Sequence, residues 1–324
     1  MEIISNPSQV EIKKAAQALK DGHLVAFPTE TVYGLGADAT NEKAVSRVYS
    51  VKARPTDHPL IVHISSINQL DKWAVDIPEY AIKLAKEFWP GPMTLILKRS
   101  ELVKDYITGG QDNVGLRVPN QPVALALLSE FESLGGIGIA APSANRFGAV
   151  SPTSSNDVVD ELGEYFQSED LILNGGSCSV GIESTIINCL GDSPSILRPG
   201  AITHEMISNA LGNEKLNGIR SGNIRASGNL DKHYSPKAKI LINNYPKKGE
   251  GLIALDSVET PEGVERLLAP ANLEEYAVGL YEALRLGDKL NLSVINIYAP
   301  ENKDLGVAII DRIRKSSGQL MLID

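Results

Sequence analysis

Short apolar runs alternate with amphipathic stretches through the first two-thirds of the chain. Residues 24–27, Leu-Val-Ala-Phe, are wholly apolar and predict a buried strand. Similar runs predict strands over 60–64, 93–98, 114–118 and 137–141, and shorter ones over 171–173, 184–188 and 195–197. Helices are expected between them. Residues 8–20 read as one, with Ser8 and Glu11 matching a capping box and Gly22 suiting the stop. Thr40 should cap a helix over 40–50, and Pro78 should sit in the first turn of one over 78–88. Further helices are expected over 122–131, 155–162 and 204–211. Strands outnumber helices and some neighbours are hairpin-like. The fold class is therefore α/β, with a twisted, mixed sheet in the first unit.

The pattern changes at Gly212. From there to Lys237 the chain holds four glycines and four asparagines and almost no apolar periodicity. The expected division is a first domain over 1–211, a linker or lid over 212–237 and a small α/β domain over 238–324. In the last part, strands are expected over 238–242, 252–255 and 293–298, with a further one over 320–323. A helix over 273–286 places Tyr276, Leu280, Ala283 and Leu284 on one face, and a final helix covers 305–315. Strands alternating with helices predict a small, Rossmann-like parallel sheet.

Composition narrows the setting. Hydrophobic residues make up 43% and charged ones 22% of the 324, as in an ordinary globular chain of two domains. No apolar run approaches the ~20 residues of a membrane span. The first twenty residues carry Glu2 and Glu11 and no apolar stretch of the kind a signal peptide needs. Cys178 and Cys189 are the only cysteines, which suits a reducing, cytoplasmic compartment. The net charge of −9 argues against generic binding to nucleic acid or anionic membrane, but leaves room for a local basic cleft.

The familiar nucleotide and hydrolase motifs are missing: no Gly-x-x-x-x-Gly-Lys-[Ser/Thr], no Gly-x-Gly-x-x-Gly and no Gly-x-Ser-x-Gly. The histidines have no metal-ligand spacing. What remains is a dispersed set of polar residues at strand ends. Residues 25–37 run from a strand into Thr29, Glu30, Thr31 and Tyr33, and Gly34 and Gly36 permit close backbone approach. Lys52 and Arg54 precede a strand on a stretch punctuated by Pro55 and Pro59. Arg117 ends another strand, Ser143 and Asn145 follow a third, Ser184 and Thr185 open a fourth, and Arg198 follows a fifth. Open α/β sheets bind ligands where strand ends meet loops, and four cations with hydroxyls there suit a nucleotide phosphate. Singly, each residue has a plainer reading: Lys52 and Arg54 as a solvated loop, Arg117 as a surface ion pair, Ser143 and Asn145 as a turn and cap, His63 as a core histidine.

Jointly the motifs resemble the threonylcarbamoyl-AMP synthase, or YrdC-like, family. They are Pro-Thr-Glu-Thr-x-Tyr-Gly-Leu (28–35), Lys-x-Arg-Pro-x-x-x-Pro-Leu (52–60), Pro-Gly-x-x-Thr (90–94) and Arg-x-Pro (117–119). Pro-Ser-Ala-Asn (142–145), Ser-Thr-Ile (184–186) and Arg-x-Gly (198–200) continue the series. Residues 280–285 and 308–312 resemble the long, two-domain branch, as does His233-Tyr-Ser-Pro236. The resemblance implies a nucleotidyltransferase that converts L-threonine, bicarbonate or CO2, and ATP with Mg2+ into threonylcarbamoyl-AMP and pyrophosphate. Other proteins then use the product to modify the adenosine beside the anticodon of tRNAs. By family position Thr31, His63, Arg117 and Ser184 would hold threonine, with help from the backbone at Ala141. Lys52, Arg54, His58, Ser143, Asn145, Ser151, Arg198 and Tyr234 would hold the nucleotide, and Lys52 and Arg54 would serve catalysis. Asn113 stands where the family usually has Thr and Gln121 where His is common, so Asn113 is a weaker nucleotide candidate. Two rivals compete. A double-stranded RNA binder would need cations beyond the pocket, and the net charge of −9 counts against it as a main role, leaving weak RNA binding open. The carbamoyl-transfer proteins of hydrogenase maturation carry zinc-finger cysteines, which this chain lacks.

Overall fold

The computed structural model describes residues 1–212, 215–218, 224–226 and 233–318. The strands of its first part are β1 (Glu2–Ser5), β2 (Val25–Phe27), β3 (Gly34–Asp38), β4 (Ile61–His63) and β5 (Met93–Lys98). They continue with β6 (Asn113–Arg117), β7 (Ile139–Ala140), β8 (Leu171–Asn174), β9 (Thr185–Asn188) and β10 (Ser195–Arg198). Among the described residues these make one ten-stranded sheet in the order β1-β8-β2-β3-β7-β4-β6-β5-β9-β10. Parallel pairs such as β4 with β6 and β5 with β9 lie beside antiparallel ones such as β2 with β3 and β5 with β6. The sheet is mixed, as the run of strands and helices predicts.

A second sheet is separate. Its strands are β11 (Lys239–Ile242), β12 (Gly251–Ile253), β13 (Glu265–Leu268) and β14 (Val294–Ile297). They lie in the order β11-β14-β12-β13, all parallel. The helix Leu273–Lys289 crosses from β13 to β14, and Leu305–Ser317 follows β14. Their buried faces build a core through Tyr276, Leu280, Tyr281, Leu284, Ile309 and Ile313, which Val32, Val150 and Ile182 of the first unit join.

Local chemistry corrects several expectations. The helix expected over 40–50 is Glu42–Lys52, and its cap is Asn41, whose Oδ1 accepts from the backbone of Lys43 and Ala44 at 3.1 and 3.2 Å. Thr40 lies one residue before that cap, where its hydroxyl donates to Asp38 at 2.6 Å. Lys52 therefore sits in the last turn of a helix and is buried, so it is no part of a solvated loop. The glycine stretch 34–38, for which the sequence pattern predicts no element, is strand β3. A Cβ at Gly36 would lie 2.8 Å from the ring of Phe27 and 2.9 Å from Ile139, so only glycine lets these neighbours pack. The strand expected over 320–323 lies outside the described residues, as do residues 213–214, 219–223 and 227–232 of the expected linker.

The two units touch. Arg285 pairs with Glu161 at 3.0 Å, Lys289 with Asp160 at 3.1 Å and Arg312 with Glu183 at 2.8 Å. Gly181, at φ +76°, lies where a Cβ would come within 2.4 Å of the Val278 backbone. The described linker residues also run along the first unit: Ala226 packs with Ile96, Ile186 and Leu197, and Ile224 against them.

Asp170 anchors one edge of the large sheet. It is fully buried, accepts from the backbone of Leu24 and Gln167 at 2.8 and 2.7 Å, and takes two bonds from Arg47. Asp170→Ala should strand these donors and lower unfolding free energy by about 3–5 kcal/mol. A urea midpoint unchanged from the parent would show that this anchor carries no stability.

Candidate active site

The ends of β4, β6 and β10, the start of β9, the segment after β7 and the end of the helix Glu42–Lys52 converge on one cavity. Its empty volume of about 630 Å³ includes the space at its open mouth. The placement at strand ends is where open α/β sheets bind ligands.

One pole is cationic. The Lys52 ammonium donates to the carbonyls of Ser143, at 2.6 Å, and Asn145. Burial, helped by nearby Arg54, pulls its pKa well below the usual lysine range. Among the described residues no carboxylate lies within ion-pair distance, so the two carbonyls, with Glu161 acting from farther off, offset its charge. Arg54 is likewise buried, which lowers its pKa to about 10. It donates to the carbonyls of Pro59 at 2.9 Å and His58 at 3.4 Å, and its guanidinium lies 5.7 Å from the centre of the Phe147 ring. Asn145 is buried, its amide donating to the carbonyls of Arg146 and Ala149 at 2.8 Å while its Oδ1 has no hydrogen-bond partner.

The other pole is built on β4 and β6, where His63 and Arg117 stand in register. Arg117 Nη1 donates to the Thr31 hydroxyl at 2.9 Å, which in turn lies 2.8 Å from that of Thr29. Arg117 Nη2 lies 2.8 Å from Glu30 Oε2, yet neither atom has a hydrogen-bond partner. The charges attract, but the pair lacks hydrogen-bond geometry, so Arg117 keeps a donor to spare. His63 has no partner at Nδ1, and burial, reinforced by Arg117, depresses its pKa to about 3. Ser184, just before β9, shares a 2.8 Å hydrogen bond with Thr94, and Arg198 donates to its carbonyl and hydroxyl.

The cavity wall thus unites Thr31, Lys52, Arg54, His63, Arg117, Ala141, Ser143, Asn145, Ser184, Arg198 and Tyr234. His58, Asn113 and Ser151 lie outside that wall. The His58 ring stands 5.1 Å from Phe147, itself a wall residue. Asn113 starts β6, at the opposite end from Arg117, and pairs with Lys98. Ser151 is fully buried and donates to Glu183 at 2.6 Å. His233, part of a motif but given no role by it, joins the wall, as do two residues outside the motifs: Phe147, whose ring only the folded chain brings to the site, and Glu183, which carried one signal, a carboxylate directly before Ser184-Thr-Ile.

Comparison with known proteins bears on the family. Residues 17–200 match a family model described as "Telomere recombination". Residues 202–318 match the one described as "Threonylcarbamoyl-AMP synthase, C-terminal domain". The chain is 40% identical over 327 residues to the threonylcarbamoyl-AMP synthase of Pyrococcus abyssi, covering 95% of this chain and 94% of that one. The chain belongs to the threonylcarbamoyl-AMP synthase family. The Bacillus subtilis synthase is 38% identical over 338 residues, covering 98% and 95% of the two chains. The crystal structure of Pyrococcus abyssi Sua5 with L-threonine superposes with a TM-score of 0.88 at 37% identity, covering 98% of each chain. No helix among the described residues is long and apolar enough to cross a membrane.

The neutral histidine is testable. Below the usual 6.5 an unfolded histidine takes a proton that His63 and His233, both held to about 3, do not. The unfolded state then binds more protons, so stability should fall as pH drops from about 6.5 towards 3. Ring NMR of the native protein should show neither histidine titrating above pH 5. A His63 ring titrating near 6.5 would mean that it is not enclosed as described.

Proposed function

We propose that this protein is a nucleotidyltransferase that condenses L-threonine, bicarbonate or CO2, and ATP into threonylcarbamoyl-AMP and pyrophosphate. One observation carries the reading: a single cavity joins a guanidinium with a spare donor beside a hydroxyl to a pole of buried cations. The first suits an α-amino acid and the second a triphosphate. A full-length relative was solved with L-threonine.

The threonine amine adds to CO2 and loses a proton, giving a carbamate. A carbamate oxygen attacks the α-phosphorus, the bond to the bridging oxygen breaks, and pyrophosphate leaves. Both partners are anionic, so the barrier is largely electrostatic, and preorganised cations lower it without a general base. Arg117 would hold the threonine carboxylate, with Thr31, Ser184 and the backbone at Ala141 around the rest. His63 stays neutral and adds no charge against Arg117. Lys52, Arg54 and Arg198 would face the phosphates, beside Ser143 and Asn145. Tyr234 borders the nucleotide side; its buried hydroxyl has no hydrogen-bond partner among the described residues. His58, Asn113 and Ser151 would act from outside the wall.

The residues fit Mg2+ arriving on the triphosphate. The unpartnered Asn145 Oδ1 is an oxygen of the kind hard cations take, whereas the Glu183 carboxylate is already engaged by Arg312, Tyr281 and Ser151. When bound, the ion supplies positive charge that offsets repulsion between carbamate and triphosphate. The product is a mixed anhydride prone to hydrolysis. Its use by other proteins on the adenosine beside the tRNA anticodon fits an activated carbamoyl donor.

Pyrophosphate release with ATP, bicarbonate and single amino acids tests the reading. Threonine should be fastest and serine slow, since one methyl group is worth only ~1–3 kcal/mol of discrimination, and alanine should be slower still. Equal rates with threonine and alanine would exclude this substrate. Arg54→Ala, which removes charge-assisted bonds of ~1.5–3 kcal/mol, should cut turnover at least ~tenfold with the fold intact. Lys52→Ala should cost more, because its ammonium also holds two wall carbonyls. Near-parental turnover in both variants would remove the cationic pole from the mechanism.

A further inference from the structure

Glu183 lies in the cavity wall, yet its carboxylate is engaged chiefly by the second unit. Oε2 accepts from Arg312 Nε at 2.8 Å and from the Tyr281 hydroxyl at 2.7 Å, while Oε1 accepts from Ser151 at 2.6 Å. Arg312 also reaches the backbone. Its Nη2 donates to the carbonyls of Glu183 at 3.3 Å and Pro199 at 3.0 Å. One carbonyl directly precedes Ser184 and the other directly follows Arg198. Those two residues are themselves joined, since Arg198 donates to the Ser184 carbonyl at 2.9 Å and to its hydroxyl at 3.1 Å. A single guanidinium from the helix Leu305–Ser317 thus holds both segments that bring Ser184 and Arg198 to the cavity.

Charge gives the arrangement a second consequence. Glu183 is buried, and an uncompensated carboxylate there would repel a triphosphate. Burial would raise its pKa, but the guanidinium groups of Arg312 and Arg198 hold it near 2, so it is ionised. Arg312 offsets that charge through Nε while its Nη1 pairs with Asp311, and Lys315, 2.8 Å from Asp311, supplies the second cation that balances the two carboxylates.

We propose that Arg312, supported by Tyr281, is a positioning residue for nucleotide binding, which neutralises Glu183 and fixes the segments carrying Ser184 and Arg198 without touching substrate. The proposal rests on the reading of the cavity as an ATP site. It assigns the second unit a part in building that site.

The test is ATP affinity of the full chain by calorimetry, in the parent, Arg312→Met, Glu183→Gln and the double variant. Arg312→Met leaves a buried carboxylate unpaired and should weaken ATP at least ~tenfold. Glu183→Gln removes a negative charge and should bind ATP at least as tightly as the parent. The double variant should recover much of the affinity lost in Arg312→Met, whereas a shifted urea midpoint with ATP affinity unchanged would mark a merely structural role. ATP affinity unchanged in folded Arg312→Met, or a double variant as weak as the single, overturns the proposal while leaving the ATP site standing. Should Arg312→Met fail to fold, Glu183→Gln decides: a tenfold loss of ATP affinity there would show the carboxylate helping the nucleotide, which contradicts charge compensation. A parent that binds no ATP would instead overturn the functional reading on which the proposal rests.

Discussion

The ion pair between Glu183 and Arg312 is the contact on which the rest of the molecule depends. Both side chains are buried, so neither charge has water to stabilise it; Glu183 relies on Arg312 with Arg198 nearby, and Arg312 on Glu183 with Asp311. The pair spans 129 residues of sequence and fastens the second sheet's last helix to the wall of the first unit's cavity. Tyr281 and Ser151 donate to the same carboxylate, as buried charge requires. Domain docking and site geometry are therefore one problem in this chain.

The same physics shapes the cationic pole. Lys52 ends a helix, where the free carbonyl dipoles favour a positive charge, but its burial still works against ionisation. The carbonyls of Ser143 and Asn145 recover part of the lost hydration, and in doing so they fix the segment after β7. An arriving polyanion would supply what the dipoles cannot. At the opposite pole Arg117 is held by Thr31 and drawn to Glu30, while neutral His63 beside it avoids a second cation. The cavity is thereby divided into a half with buried Lys52 and Arg54 and a half where Arg117 stands among hydroxyls, with Arg198 bound to Ser184.

Legibility in the sequence followed the range of the forces involved. Strand β5 and the helices Ser155–Leu162 and His204–Leu211 appear where apolar runs and caps place them, because those signals act within a few residues. Strands β1, β3 and β13 were not legible. β1 buries only Ile4, β3 contains two glycines, and β13 opens on Glu265 and Arg266, so none carries a strand's usual pattern. The site was legible as a set of residue types in a given order, and most of that set meets in one cavity. Glu183 was hidden because its meaning comes from Arg312 and Tyr281, which lie in the other unit.

By itself the sequence determined the two-part organisation, the mixed first sheet, the parallel second one and the inventory of cations and hydroxyls. Periodicity, caps and strand ends are written locally, and family motifs keep their order along the chain. Only the tertiary structure decided what each polar group does. Lys52 and Ser143 lie 91 residues apart, yet their contact turns a lysine of a charged helix into a buried support of the cavity wall. The reason is physical: a charge takes its energy from its depth and its partners, and both are set by which distant segments fold against it.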